Sequence, residues 1–125
     1  MKLIIAGSRT ITDYNILKDA IAEFIAVDKI YNISEVVSGT ANGVDKLGEQ
    51  WAIENHIPIK RMAADWKQFG RAAGMIRNKE MGDYADMGFV LWDGRSKGSL
   101  MMYKYMKKLN KPVAIKIVGE KDEII

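Results

Sequence analysis

The chain alternates between short apolar runs and longer stretches in which apolar residues recur every three or four positions. The first run, residues 3–6 (LIIA), ends at Gly7 and is typical of a strand buried on both faces of a parallel sheet. Thr12 is a suitable N-cap, and one helical face follows it: Ile16, Leu17, Ala20, Ile21, Phe24 and Ile25. The pattern predicts a strand and then an amphipathic helix.

This strand and helix unit recurs along the chain. Val36 and Val37 predict a second strand, and a second apolar stripe follows a glycine turn: Val44, Leu47, Gly48, Trp51 and Ala52. Further strands are predicted in residues 57–63, 88–93 and 112–118, with helices over most of residues 71–85 and over residues 100–109. We therefore expect an α/β fold, a Rossmann-like doubly wound sheet of five parallel strands in the order 3-2-1-4-5 with helices on both faces.

Length and composition narrow the class of protein. The 125 residues predict a single Rossmann-like domain over residues 1–118 and a short C-terminal tail over residues 119–125. The chain has no cysteine and one histidine, His56, so we expect no metal and assign no cofactor. The first apolar run is too short for a signal peptide or a membrane span, which predicts a cytoplasmic protein without a membrane partner.

Three loops that combine glycine with hydroxyl or basic residues follow the predicted strands. They are residues 7–9 (GSR), 38–43 (SGTANG) and 93–99 (DGRSKGS). Ligands of doubly wound sheets bind beyond the carboxyl ends of the strands, where these loops meet. Glycine permits close backbone approach, and the amides at a helix start favour an anion. One such loop is an ordinary turn, but three at one edge predict a site for phosphate.

The known phosphate-binding motifs do not fit these loops. Neither G-x-G-x-x-G nor G-x-x-x-x-G-K-[ST] is present, which disfavours a standard NAD enzyme and a P-loop NTPase. Arg71 and Asn78 share one helical face, with Arg77 a quarter turn away, and could hold a nucleotide. The alternative is a solvated helix face with ordinary ion pairs.

Aromatic and basic residues near the loops have two interpretations each. Trp66, Phe69 and Trp92 could stack on a base or pack in the fold, and Trp92 is favoured for stacking because it adjoins the third loop. A basic stripe in the last helix is interpreted as a solvated face in preference to a DNA contact: Lys104, Lys107, Lys108 and Lys111. Four methionines are assigned to packing or to a contact in a homo-oligomer: Met81, Met101, Met102 and Met106.

Residues 38–45 (SGTANGVD) resemble the S-G-x-A-x-G-[IV]-D loop of the DNA-processing family DprA/Smf, which shares the SLOG superfamily with the LOG phosphoribohydrolases. Residues 70–81 (GRAAGMIRNKEM) and 85–99 (ADMGFVLWDGRSKGS) are similar to the small stand-alone YspA-like branch of bacteria and phages. The resemblance implies a nucleotide-binding domain in which Asp45 braces the loop or caps nearby amides. It implies two walls for the site, Gly39, Thr40 and Gly43 on one side and Gly94, Ser96, Gly98 and Ser99 on the other.

The chain departs from the LOG pattern at the catalytic position. LOG enzymes carry a G-G-x-G-T-x-x-E loop whose glutamate acts with an arginine to cleave a nucleoside monophosphate between base and ribose phosphate. Laid on Gly98 and Ser99, that pattern puts Met102 at the glutamate. LOG-type hydrolysis would need a substitute acid, for which Asp93 and Glu80 are candidates, so enzymatic activity is left open.

The sequence thus favours a module that binds a phosphate-bearing nucleotide or an ADP-ribose-like derivative. The alternatives are a nucleoside monophosphate N-glycosidase and single-stranded DNA binding as in DprA/Smf. Nucleic acid is the less favoured partner because a net charge of +3 is modest and no basic tail is present. The expected ligand-binding residues are Gly7, Ser8, Arg9, Ser38, Gly39, Thr40, Gly43, Asp45, Arg71, Arg77, Asn78, Trp92, Asp93, Gly94, Ser96, Lys97, Gly98 and Ser99.

Overall fold

The structure, a computed structural model, describes residues 1–118, so the predicted tail over residues 119–125 lies outside the described residues. Its strands are β1 (Lys2–Gly7), β2 (Glu35–Ser38), β3 (Ile59–Arg61), β4 (Met87–Trp92) and β5 (Val113–Ile117). They pair in parallel in the order β3-β2-β1-β4-β5. The predicted Rossmann-like α/β fold and its strand order are confirmed.

The helices are α1 (Tyr14–Asp28), α2 (Val44–Glu54), the short α3 (Trp66–Phe69), α4 (Ala73–Tyr84) and α5 (Lys97–Lys108). A 3₁₀ turn, Gly70–Ala72, joins α3 to α4. None of the helices within residues 1–118 has the length and apolar character that crossing a membrane requires.

The sheet is covered on both faces, which explains why its central strands are apolar throughout. In β1, Leu3 and Ile5 belong to the apolar cluster that includes α1 and α2. Ile4 and Ala6 belong to the cluster that includes α4 and α5. Burial of a side chain such as Leu3 or Ile4, each fully buried, contributes about 1.5–3 kcal/mol. The two clusters fix the helices that carry the site.

Two helices begin at positions other than those predicted. Asp13, and not Thr12, caps α1, because its carboxylate accepts a hydrogen bond from the Asn15 amide at 2.9 Å. Helix α5 begins three residues before the predicted start at residue 100, with Ser96 as its N-cap. The poor helix formers Gly98 and Ser99 conceal this start from propensity alone, and the Ser96 cap compensates for them.

Lys111 is not part of a solvated stripe. Its ammonium donates to the carbonyls of Gly82 at 2.8 Å, Asp83 at 2.9 Å and Ala85 at 2.9 Å. These carbonyls lie at the C-terminal end of α4, where a cation is favoured by the helix dipole and by the carbonyls that lack helical partners. Lys111 therefore stabilises the C-terminal end of α4, the helix that carries Arg77 and Asn78.

The packing interpretation of the methionines is confirmed for Met81, Met102 and Met106, all buried.

Candidate functional site

A cleft of about 510 Å³ lies at the carboxyl ends of β1 and β4. This is the point at which the strand order changes direction, because β1 is followed by β2 on one side and β4 lies on the other. The predicted ligand-binding residues that line the cleft are Gly7, Arg9, Asp45, Arg77, Asn78, Asp93, Ser96, Gly98 and Ser99. Thr10, Ala41 and Arg95 also line it and were missed from the sequence.

The positive charges around the cleft come from three different segments. Arg9 follows β1, Arg77 lies in α4, and Arg95 lies in the loop before α5. Two carboxylates, Asp45 of α2 and Asp93 at the end of β4, line the same space. The first turn of α5 completes the cleft with the positive end of its dipole, so the balance of charge favours an anion.

Asp93 shapes the turn that leads into α5. Its Oδ1 accepts hydrogen bonds from the amides of Arg95 and Ser96, both at 2.8 Å, and its Oδ2 accepts one from the Thr10 hydroxyl at 2.7 Å. Burial raises the pKa of Asp93, but these donors and the Ser8 hydroxyl outweigh burial and lower it to about 2. Asp93 is therefore an anion at neutral pH and a poor proton donor.

Asp45 is only 5% exposed and meets the glycine loop after β2. Its Oδ2 accepts the Ala41 amide at 3.1 Å, an arrangement that fits the bracing role implied by the family resemblance. Arg77 donates to the Gly39 carbonyl of the same loop. A Cβ on Gly39 would lie 2.7 Å from the Asp45 Oδ2 and 2.9 Å from the Arg77 Nη1. Glycine at this position lets the loop sit against both charged groups.

The same burial has opposite effects on these two charged groups. It raises the pKa of Asp45 to about 6, although the Ala41 amide and the Arg77 charge both oppose the rise. It lowers the pKa of Arg77, and the charge of Asp45 opposes that change. Asp45 is thus the cleft carboxyl whose protonation changes nearest to neutral pH.

Stability should therefore fall as pH rises through the range in which Asp45 ionises in the folded chain. The folded pKa, about 6, is above the ordinary value of 3.8, so the unfolded chain releases this proton first. Between pH 4.5 and pH 7, the free energy of unfolding of wild type should fall by about 2 kcal/mol relative to that of Asp45→Asn. Urea denaturation at the two pH values measures it.

The comparison with Asp45→Asn isolates one group. The pKa values of Asp93 and Glu49 are lowered, so both titrate mainly below this pH range and cancel in the difference between the two proteins. A difference that stays constant from pH 4.5 to pH 7 would contradict a raised pKa for Asp45.

Ser38 and Thr40 stabilise the glycine loop over residues 38–43 through hydrogen bonds and do not line the cleft. The buried Ser38 hydroxyl donates to the Glu49 Oε2 at 2.6 Å and accepts the Thr40 amide at 3.1 Å. Glu49 also accepts a bond from the Arg61 Nε at 2.9 Å. Thr40 has φ +65°, a left-handed conformation that is rare for a β-branched residue. Such strain persists because the surrounding network fixes the loop.

Glycine is required in the first two loops because other atoms of the protein lie close to the backbone there, and not because a ligand does. A Cβ on Gly7 would lie 2.0 Å from the Leu91 carbonyl oxygen. Gly43 has φ +80°, and its Cβ would lie 2.4 Å from the carbonyl oxygen of Ser8. Gly98 differs, because it lines the cleft and, apart from its chain neighbours and the backbone of its own helix, no heavy atom lies within 4 Å of the place its Cβ would take. Gly94, with φ +83°, serves the turn and lies outside the lining.

Several other predicted residues lie outside the lining of the cleft. Arg71 belongs to the 3₁₀ turn before α4, so the helical face it was expected to share with Asn78 does not extend to it, and Arg77 takes its place. Lys97 lines a separate groove on α5, beside Lys104 and Lys108. Glu80 is exposed on α4 and does not line the cleft.

Trp92 supports the start of α5 and does not line the cleft. Its indole Nε1 donates to the Ser96 carbonyl at 2.8 Å, and its ring packs against the apolar cluster of α4 and α5. Ser8 has a similar supporting role, because its hydroxyl accepts the Asp93 amide at 2.9 Å. Both residues fix the turn after β4.

Met102 occupies the floor of the cleft and is 1% exposed. A carboxylate is therefore absent from the position at which the LOG pattern has its glutamate. Across residues 1–118 there is also no group of three or more histidine, aspartate or glutamate side chains that could hold a metal ion.

Comparison with known proteins adds two findings. Residues 1–69 match the family described as YAcAr, the YspA, cpYpsA-related SLOG family. The Gene 61 protein of Mycobacterium phage D29 is 31% identical over 120 residues, which cover 90% of this chain and 93% of that protein. No solved structure matches the chain significantly. The matched family region contains the loops after β1 and β2, and the phage relative extends the similarity to most of the chain.

Proposed function

Because this chain belongs to the YspA, cpYpsA-related SLOG family, we propose that its cleft binds a phosphate-bearing nucleotide or an ADP-ribose-like derivative. Membership of that superfamily suggests a nucleotide-related role in general. The finer proposal, a particular cleft and a phosphate-bearing ligand, rests on the placement of charged groups around one space.

The observation that carries the proposal is that Arg9, Arg77 and Arg95 line one cleft together with the first turn of α5. A guanidinium binds phosphate through two parallel hydrogen bonds, and the start of a helix adds backbone amides and a positive dipole. At Gly98 the backbone is open to the cleft, so a phosphate can approach it closely. We assign the phosphate to this turn, beside Arg95.

Titration of the full chain with AMP, ribose 5-phosphate and inorganic phosphate tests the proposal by calorimetry. Arg95→Gln should weaken AMP binding about tenfold, because it removes a charged hydrogen-bond donor from the cleft. Lys97→Gln is the matched control, since Lys97 lies two residues away, carries the same charge and lines the other groove. It should change the affinity by less than about twofold.

Equal effects of the two substitutions would mean that binding depends on general charge and not on the cleft. Absence of binding by AMP, ribose 5-phosphate and phosphate would overturn the proposed function. Binding of a short oligonucleotide alone, lost steeply as salt rises, would favour the DNA-binding alternative.

A second candidate function is cleavage of the N-glycosidic bond of a nucleoside monophosphate. The observation that favours it is Asp45, a buried cleft carboxyl with a pKa of about 6, which is suited to proton transfer near neutral pH. Asp93 is less suited because its pKa is about 2, and Glu80 lies outside the cleft. Release of free base from AMP by wild type and not by Asp45→Asn, followed by chromatography, would establish cleavage; intact AMP would exclude it for that substrate.

A further inference from the structure

Trp66 exposes a large aromatic surface, which is unusual for a tryptophan in a globular domain. Its exposure is 53%, although tryptophan is highly buried on average. The other two tryptophans are occupied, because Trp51 packs in the core and Trp92 is hydrogen-bonded to the Ser96 carbonyl. Trp66 is therefore the tryptophan with a ring available to a ligand.

The ring of Trp66 and the guanidinium of Arg77 both approach Gly74 of α4, which we take as the rim of the cleft that Arg77 lines. A Cβ on Gly74 would be 3.5 Å from the Trp66 Cη2 and 4.0 Å from the Arg77 Nη2. The edge of the indole and the guanidinium thus approach the same point on α4, and Arg77 lines the cleft while Trp66 does not. Because Gly74 has no side chain, nothing from that residue separates the two groups.

A nucleotide has chemistry for both groups. Its phosphate suits the first turn of α5 with Arg95, as in the proposed function on which this inference rests. Its base is a flat aromatic system, and any of the bases can stack on tryptophan. A guanidinium over an aromatic ring adds an attractive cation–π contribution. We propose that Trp66 is the stacking platform for the base, and that the ligand runs from the start of α5 past Arg77 to the rim.

Comparison of AMP with ribose 5-phosphate tests this assignment by calorimetry on the full chain. The two compounds share the sugar phosphate, and only AMP has a base. Trp66→Ala should weaken AMP binding about tenfold and leave ribose 5-phosphate within about twofold. Trp66→Phe keeps a stacking surface and should retain most of the AMP affinity. Tyr31→Ala is the control, because Tyr31 is 81% exposed and precedes the amino end of β2, whereas the cleft lies at the carboxyl ends of the strands.

The outcomes separate this inference from the function on which it rests. If AMP and ribose 5-phosphate both bind and Trp66→Ala weakens neither or both alike, the stacking assignment is wrong and the phosphate site stands. If neither compound binds, the proposed function fails and the base site fails with it. A change in sedimentation on Trp66→Ala with AMP affinity unaltered would overturn stacking in favour of a contact between copies of the chain.

Tryptophan fluorescence gives a second readout. A base stacked on Trp66 should alter the emission when AMP is added, and Trp66→Phe should remove that change while calorimetry still detects binding. An unchanged fluorescence response in Trp66→Phe would place the base near Trp92 or Trp51 and contradict the assignment.

Discussion

Replacement of Gly43 by alanine should destabilise the folded chain by about 3–6 kcal/mol, a large share of the stability of a small domain. The residue has φ +80° and ψ −133°, a conformation that side chains rarely adopt. An added Cβ would also lie 2.4 Å from the Ser8 carbonyl oxygen and 2.5 Å from the Arg9 Cα, which are backbone atoms of the neighbouring loop. Urea denaturation followed by circular dichroism measures the loss.

Gly98→Ala provides the matched control for this effect. The same methyl group meets open space at residue 98, and alanine is a better helix former than glycine. We expect its free energy of unfolding to equal that of wild type or to exceed it by up to about 1 kcal/mol. Similar unfolding midpoints for Gly43→Ala and Gly98→Ala would contradict the distinction between a glycine required by packing and one that faces the cleft.

Gly98→Asp should abolish most nucleotide binding, by at least about a hundredfold, without loss of stability. A carboxylate in the first turn of α5 interacts favourably with the helix dipole, which is worth about 0.3–1 kcal/mol. The same charge about 4 Å from a bound phosphate would be repelled by about 4 kcal/mol at an effective dielectric constant near 20. Calorimetry with AMP measures the affinity, and thermal denaturation measures the stability.

Gly98→Asn separates charge from size, because asparagine has nearly the same shape as aspartate and no charge. We expect it to bind AMP more weakly than wild type and much more strongly than Gly98→Asp. If the two variants bound AMP equally, the phosphate would lie away from the start of α5, and the arrangement of the proposed ligand would have to be reversed or abandoned.

Most of the fold could be predicted because its pattern is local. The apolar runs that became β1 and β4 are buried except at the ends of the strands, and the stripe from Val44 to Ala52 lies on one face of α2. Hydrophobic periodicity depends only on which side of an element meets the core, so it reports burial directly. The rule that crossovers between parallel strands are right-handed limits the topologies of such a sheet, and the order 3-2-1-4-5 is the Rossmann-like arrangement among them.

The composition of the site was only partly predictable, because it depends on where each helix begins. Arg95 and Lys97 are both basic residues of one loop in the sequence. The Ser96 cap starts α5 at Lys97 and directs Arg95 to the cleft and Lys97 to the neighbouring groove. Likewise, the 3₁₀ turn at Gly70–Ala72 separates Arg71 from the helical face that contains Asn78. A shift of a few residues at the start of a helix therefore changes which cationic side chain lines the cleft.

Contacts between distant segments could not be predicted from one sequence. The bonds from Lys111 to three carbonyls of the α4 end require the position of a loop relative to a helix. The hydrogen bond between Thr10 and Asp93 joins two loops that meet only when β1 and β4 pair. The bonds from the Arg95 and Ser96 amides to Asp93 are local, but no local pattern contains the bond from Thr10, so the full lowering of the Asp93 pKa depends on the folded chain.

The central place of β1 in the sheet has a consequence for how the chain is made in the cell. Its Leu3 pairs with Val36 of β2 and also with Met87 of β4, which is synthesised much later than either. At about 5–20 residues per second, the ribosome leaves the β4 side of this strand unpaired for about 4–17 s. An open apolar strand edge is a template for pairing with other chains. Until β4 is synthesised, β1 therefore presents an apolar edge at which nascent chains can pair with one another.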